Sequence, residues 1–344
     1  MTIARLAVVH AGPHCSVQDQ GRPGLMRFGV PVSGPMDRGA FAVAQAALGN
    51  PCGAALIEVS LGGLVLDCLE GDLSFALAGG AFAAQIGAVR LAPWTVAGLR
   101  AGQRLAIRGG DWGSWACLAL AGELVAPRWL GSAATHAPSG FGGRVLRAGD
   151  RLEVARAERR EDREGDLPIP DWARPGPDPR VVIGPQDRFF APETLAALAS
   201  QPFAVTGAGD RQGLRLSGPP LAVAGALDMP SEAALRGSVQ VAGDGVATVL
   251  LADHQTTGGY PKIATILDCD LDRFVQLRPG DRLRFHPVTP EAAIGLARRE
   301  KGLRDTFLRT LVPARGSLES RLRTQNLIGG VTSASDAPPG EDAR

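Results

Sequence analysis

Apolar residues fall in short runs along the chain: Leu6 to Val9, Leu56 to Val59, Leu73 to Leu77, Trp115 to Leu120, Val181 to Ile183, Val246 to Leu251 and Ile263 to Leu267. Runs of this length, bounded by Gly, Asp and Pro, predict strands of a sandwich or barrel. A heptapeptide occurs three times, at Leu99–Leu105, Leu146–Leu152 and Leu277–Leu283, with the pattern Leu-Arg-x-Gly-x-Arg-Leu. Each copy offers a glycine turn between two leucines that can face a core. A copy near the end of each half of the chain hints at duplicated barrels.

Helical periodicity is rarer. Ser33-Gly34-Pro35-Met36-Asp37 supplies a cap, a first-turn proline and an acid suited to the helix dipole. Phe41, Ala44 and Leu48 follow on one face and Gly49 is a stop, so a helix is expected over about 35–48. A shorter helix is expected from Pro192 to Ala199, and an Arg-rich amphipathic one from Thr289-Pro290-Glu291 to about Leu311. Nine of the eleven residues from Arg156 to Asp166 are charged, and five prolines follow by Pro179, a stretch that reads as a linker. The expected organisation is a barrel at 1–155, a charged and Pro-rich linker at 156–179, a second barrel at 180–288, and a helical extension with a flexible tail at 289–344.

The chain has 344 residues, enough for two domains, with 45 glycines and 26 prolines that disfavour a long helical bundle. Its 36 basic and 35 acidic residues nearly cancel, which makes nucleic acid a poor partner. Five dispersed cysteines fit neither a disulfide framework nor a zinc site. No signal peptide or membrane span is read, and the expected location is the cytoplasm. His10, His14 and Cys15 bracket Gly12-Pro13 at a strand end and give little reason to expect a metal.

Two polar, glycine-punctuated segments stand out. One runs from Ser16 through Gln18, Asp19, Gly21, Arg22 and Gly24 to Ser33-Gly34-Pro35-Met36-Asp37, and the other is Asp253-His254-Gln255-Thr256-Thr257-Gly258-Gly259-Tyr260-Pro261. Each combines an acid, amides or hydroxyls, and glycines that free backbone N–H groups, as a planar polar ligand requires. Hairpin loops whose side chains satisfy their own turns would look the same. There is no G-x-x-x-x-G-K-[ST] phosphate loop and no G-x-S-x-G elbow anywhere in the chain.

Gln18-Asp19-x-Gly21-Arg22-x-Gly24, Gly29-Val30-Pro31-x-Ser33-Gly34-x-Met36-Asp37, Gly49-Asn50 and Gln255-Thr256-Thr257-Gly258-Gly259-Tyr260-Pro261 closely resemble the allophanate hydrolase subunit 2 family, also called the biotin-dependent carboxyltransferase family. Leu56-Ile57-Glu58, Gly131-Ser132 with Thr135, Gly184-Pro185-Gln186, Asp210-Arg211-x-Gly213-x-Arg215-Leu216-x-Gly218, and Ser231-Glu232 with Gln240-Val241 extend the resemblance to about residue 286. His136 and His254 depart from the family pattern, and residues after Thr289 lie outside it.

The resemblance implies two cyclophilin-like β-barrels and a planar amide or ureido substrate. For 5-oxoproline, it implies ATP-dependent lactam opening to glutamate, with ATP and Mg2+ engaged through a complex whose other members resemble the A-type and B-type components of 5-oxoprolinase. Asp19, Asp253 or Glu232 would then activate water, and Arg22 or Arg211 would hold a phosphoryl group or the substrate carboxylate. N–H groups near Gly258 and Gly259 would meet the oxyanion. Gln18, Ser33, Asp37, Gln255, Thr256, Thr257 and Tyr260 complete the expected binding set, although Asp210-Arg211 could equally be an internal ion pair. Carboxyl transfer from carboxybiotin to urea or a similar amide is the second implied activity. Biotin would arrive on a partner, because neither Lys262 nor Lys301 lies in a Met-Lys-Met acceptor. The third is a non-catalytic regulatory role, in which the chain binds a kinase-inhibitor partner.

Overall fold

In the computed structural model, described over residues 2–176, 178–224 and 229–311, every apolar run named above forms the body of a β-strand. Among the described residues the fold is mainly β with four α-helices: α1 (Arg38–Leu48), α2 (Pro192–Ser200), α3 (Asp268–Phe274) and α4 (Pro290–Leu311). A seven-stranded sheet orders Glu123–Leu124, Arg151–Ala155, Ile3–Ala11, Leu64–Glu70, Arg104–Arg108, Ala83–Ile86 and Val89–Leu91. Against it packs a six-stranded sheet of Gly165–Asp166, Thr95–Arg100, Asp72–Ala78, Trp115–Leu120, Leu56–Ser60 and Ser16–Gln18. Their inner faces meet in one core around Leu6, Ile57, Leu66, Phe75 and Leu118.

The second half is an eight-stranded sheet ordered Arg282–Leu283, Phe203–Gly209, Gly213–Ser217, Ala247–Leu250, Ser238–Val241, Lys262–Ile266, Arg180–Ile183 and His286–Pro287. Its core contains Val181, Val239, Ile263, Phe274 and Phe285, and it also takes in Met36 and Trp115 from the first half. Apolar packing is therefore continuous across the two halves. A two-stranded ribbon pairs Glu232–Ala233 with Thr257–Gly258.

The three heptapeptides adopt the same turn. Gly102, Gly149 and Gly280 have φ of +82°, +94° and +94°, and all six flanking leucines are buried. In each turn the residue after the glycine accepts a hydrogen bond on its side chain: Gln103 from Arg100 N, Asp150 from Arg147 N and Asp281 from Arg278 N, at 2.8–2.9 Å. The recurrence therefore encodes a strand-entry turn.

Helix α1 starts at Arg38, later than the sequence suggests. Ser33 is left-handed (φ +56°), which stops the helix from extending back to it, and Asp37 is the cap, accepting from Ala40 N at 2.7 Å. Gly49 ends α1 as expected. Helix α3 has no counterpart in the sequence reading. Its seven residues, Asp-Cys-Asp-Leu-Asp-Arg-Phe, lack an apolar stripe long enough to signal a helix.

The stretch at 156–179, expected to be a linker, is held against the first half. Its arginines hold the C-terminal end of α1: Arg160 donates to Leu48 O and Asn50 Oδ1, and Arg163 to Ala46 O and Ala47 O. Leu167 and Ala173 are buried beside α1. A charge-rich run need not be loose when its guanidiniums satisfy helix carbonyls that would otherwise lack partners. Helix α4 packs on the same layer, with Leu311 buried and Phe307 edge-on to Trp172 at 5.6 Å. The expected flexible tail, residues 317–344, lies outside the described residues.

A Cβ added at Gly149 or Gly280 meets open space, so only the backbone conformation resists it. Gly149→Ala and Gly280→Ala should each destabilise the protein by about 1 kcal/mol in urea unfolding.

Candidate functional site

The two polar segments meet along the boundary between the halves. Arg211 lies at the turn after Phe203–Gly209, and its guanidinium enters a fully buried position between Glu58 and Asp253. Nε donates to Asp253 Oδ2 at 2.9 Å, Nη1 to Glu58 Oε2, and Nη2 to Gly34 O at 2.6 Å. Glu58 also accepts from Met36 N at 2.6 Å. Burial opposes the Arg211 charge, but Asp253 and Glu58 outweigh it and hold its pKa above the usual value. Burial pushes the Glu58 carboxyl up, and Arg211 counters the shift. Of the two alternatives for Asp210-Arg211, the internal ion pair describes Arg211, while Asp210 caps its own turn by accepting from Gln212 N.

The first segment is largely engaged in building its own loop. Asp19 accepts from Gly21 N, Ser132 Oγ and Ala133 N at 2.6–2.9 Å. Gln18 donates to Ser16 Oγ and Thr135 O. Arg22 stacks over Trp129 at 5.0 Å and donates to Ala134 O, and burial lowers its pKa. Yet Gln18 Oε1, Arg22 Nε and Nη1, and Ser33 Oγ are buried without a hydrogen-bond partner. Such atoms cost free energy unless a ligand or water meets them. His136, beside Thr135, pairs through Nδ1 with Ser139 Oγ at 2.6 Å, and burial lowers its pKa.

Asp37 sits at a second junction. It caps α1, accepts from Gln276 Nε2 at 2.7 Å, and lies near Asp272, which receives Arg38 N, Gly39 N and Arg304. Burial, then the Asp272 charge, pushes the Asp37 carboxyl up to about 7. These bonds make Asp37 a structural cap, with its carboxylate directed at protein groups.

The second segment borders an open groove of about 560 Å³ whose walls include Asp210, Arg215, Gln240, Thr248, Gln255 and Tyr260. Gln255 Nε2 donates to Gln240 Oε1 at 3.1 Å. A Cβ on Gly258 would lie 3.0 Å from Gln240 Nε2 and 3.3 Å from Gln255 Nε2, so a side chain there would press on these amides. Thr257 and Gly258 pair with Glu232–Ala233, and Gly259 lies near Ser231. Thr256 O accepts from Ala234 N. Glu232 is half-exposed, accepts from Gln186 Nε2 and lies 3.8 Å from Arg188. Gln186 Oε1 in turn accepts from Lys262 N at 2.7 Å. A separate cavity of about 220 Å³ between the halves is walled by Met36, Trp115, Leu214, Leu251 and Leu277, and its apolar lining offers little to a polar amide.

Glu58, Gln186, Gln240 and Lys262 are not among the candidate residues read from the sequence, and the structure places them against those candidates. Glu58 carried a signal, since it is an acid within the otherwise apolar run Leu56–Val59.

Residues 28–287 match the family model described as the carboxyltransferase domain, subdomains A and B. The chain belongs to this family. It is 33% identical over 292 residues to the C component of 5-oxoprolinase from Haemophilus influenzae, covering 83% of this chain and 92% of that protein. The Escherichia coli protein of the same name is also 33% identical, over 84% of this chain and 93% of its own length. The solved Kluyveromyces lactis urea carboxylase superposes with a TM-score of 0.76 at 25% identity, over 89% of this chain and 29% of that one. Among the described residues, no helix is long and apolar enough to cross a membrane.

Arg211→Met leaves two carboxylates buried without their cation and should cost about 3–5 kcal/mol, read as a lowered denaturation midpoint. Asp37 binds a proton more tightly when folded than when unfolded, where its pKa is about 3.9, so its contribution to stability is lost as pH rises from about 4 to 7. The thermal midpoint should fall across that window, and Asp37→Asn should flatten the slope.

Proposed function

We propose that this chain is one component of an ATP-dependent 5-oxoprolinase, which hydrolyses 5-oxo-L-proline to L-glutamate in a complex with A-type and B-type partners. The observation that carries this reading is the similarity to two proteins named as the C component of 5-oxoprolinase, across nearly their whole length. The chemistry of the groove supports it. A lactam presents a carbonyl acceptor and an N–H donor in one plane, the complement of a side-chain amide. Replacing the Gln240–Gln255 bond with bonds to a lactam exchanges one amide pair for another, so little polar pairing is lost. N–H groups at Gly258 and Gly259 take the developing oxyanion, with Thr256, Thr257 and Tyr260 shaping the rim.

Of the three acids, Asp19 and Asp253 are committed to internal donors and to Arg211, whereas Glu232 keeps solvent access. Water activation is therefore assigned to Glu232. Gln18, Arg22 and Ser33 remain binding residues in this reading because each keeps a buried polar atom in need of a partner. ATP supplies the energy for lactam opening and is engaged through the complex; any nucleotide contact of this chain is made without a glycine-rich phosphate loop and its lysine.

Carboxyl transfer is the second reading, favoured by the family's description and by the urea carboxylase superposition. The two readings separate when the chain is co-expressed with its partners. ATP-dependent glutamate formation from 5-oxoproline supports the first, and turnover dependent on urea and a biotinylated partner replaces it with the second. In the active complex, Gln255→Ala should lower kcat/KM at least about tenfold, or about 1.4 kcal/mol, with the melting temperature changed by no more than about two degrees.

A further inference from the structure

Lys262 is one of only two lysines among 36 basic residues, and it is buried on the strand Lys262–Ile266. Its Nζ has no hydrogen-bond partner, and burial lowers its pKa against the pull of Glu232. Glu232 is itself bonded to Gln186 and lies beside Arg188. Lys262 stands directly across from Gln240 in the sheet, so the two side chains share a face, and Gln240 lines the groove. An ammonium kept from water without a partner is a standing cost that an incoming anion would remove. A compact ammonium suits a single carboxylate oxygen, where an Arg fork would claim more space and more acceptors.

We propose that Lys262 is the cation that receives the carboxylate of the cyclic amide, so that this site selects lactams derived from amino acids over neutral lactams. The inference rests on the 5-oxoprolinase reading and adds a specificity residue to it. The ring amide faces Gln240 and Gln255, and the carboxylate reaches behind Gln240 to Nζ.

The two lysines make the test direct. The full chain labelled with [ε-13C]lysine, alone and mixed with unlabelled partner proteins, gives one signal from Lys262 and one from Lys301. Adding 5-oxoproline should shift the Lys262 signal saturably and raise its titration midpoint, leaving Lys301 unchanged. Adding 2-pyrrolidone, the same ring without the carboxylate, should not raise that midpoint. In the complex, Lys262→Met should raise KM for 5-oxoproline at least thirtyfold with kcat within threefold, and the thermal midpoint should rise as an unpaired buried charge is removed. An unresponsive Lys262 signal in a complex that makes glutamate overturns the inference and leaves the 5-oxoprolinase reading standing. A collapse of kcat at unchanged KM also overturns it. A complex that makes no glutamate overturns both.

Discussion

Arg211 links the two halves through a guanidinium held between Glu58, on a strand of the first half, and Asp253, at the start of the second polar loop. Its third bond, to Gly34 O, fixes the left-handed turn at Ser33 and Gly34 that leads into Met36 and α1. One planar cation therefore sets the relative position of three segments distant in sequence. Arginine suits the task because its donors diverge in a fixed plane. The desolvation of these charges offsets much of their attraction, so the cluster matters more for alignment than for net stability. The loop carrying Gln255 begins two residues before it, at that anchor, so the groove inherits its placement.

A second set of charges organises the opposite side of α1. Asp272, on α3, accepts from the first N–H groups of α1 and from Arg304 of α4. Arg160 and Arg163, from the charged stretch, hold the last carbonyls of the same helix. Both ends of α1 are thus completed by side chains from elsewhere in the chain, in the sense expected of the helix dipole. Helix α4 lies beyond the residues that match the family, yet it is part of this arrangement.

Much of the fold was legible because strand periodicity and turn chemistry are local. The three heptapeptides form three equivalent turns, and Gly49, Pro192 and Pro290 mark helix ends where the sequence placed them. What was not legible depended on partners far away in sequence. Helix α3 is held by Asp270 with Arg180 and by Asp272 with Arg304, pairings that no window of its own residues contains. The charged stretch read as a linker because charge density alone does not reveal the carbonyls its arginines reach. At the site, the segments around Gln18 and Gln255 stood out by composition. That Asp253 is spent on Arg211 while Glu232 is left open depends on tertiary pairing, and so does the burial of Lys262 across from Gln240.

The near-complete use of arginine has a practical corollary. Side-chain amines occur at only two positions: Lys301 is exposed on α4 and paired with Asp305, and Lys262 is closed inside the second half. Reagents that acylate amines will tag Lys301 on the native surface far faster than the buried Lys262. The rate of the second tag would then report how open the surroundings of Lys262 are, with no engineered label in the chain.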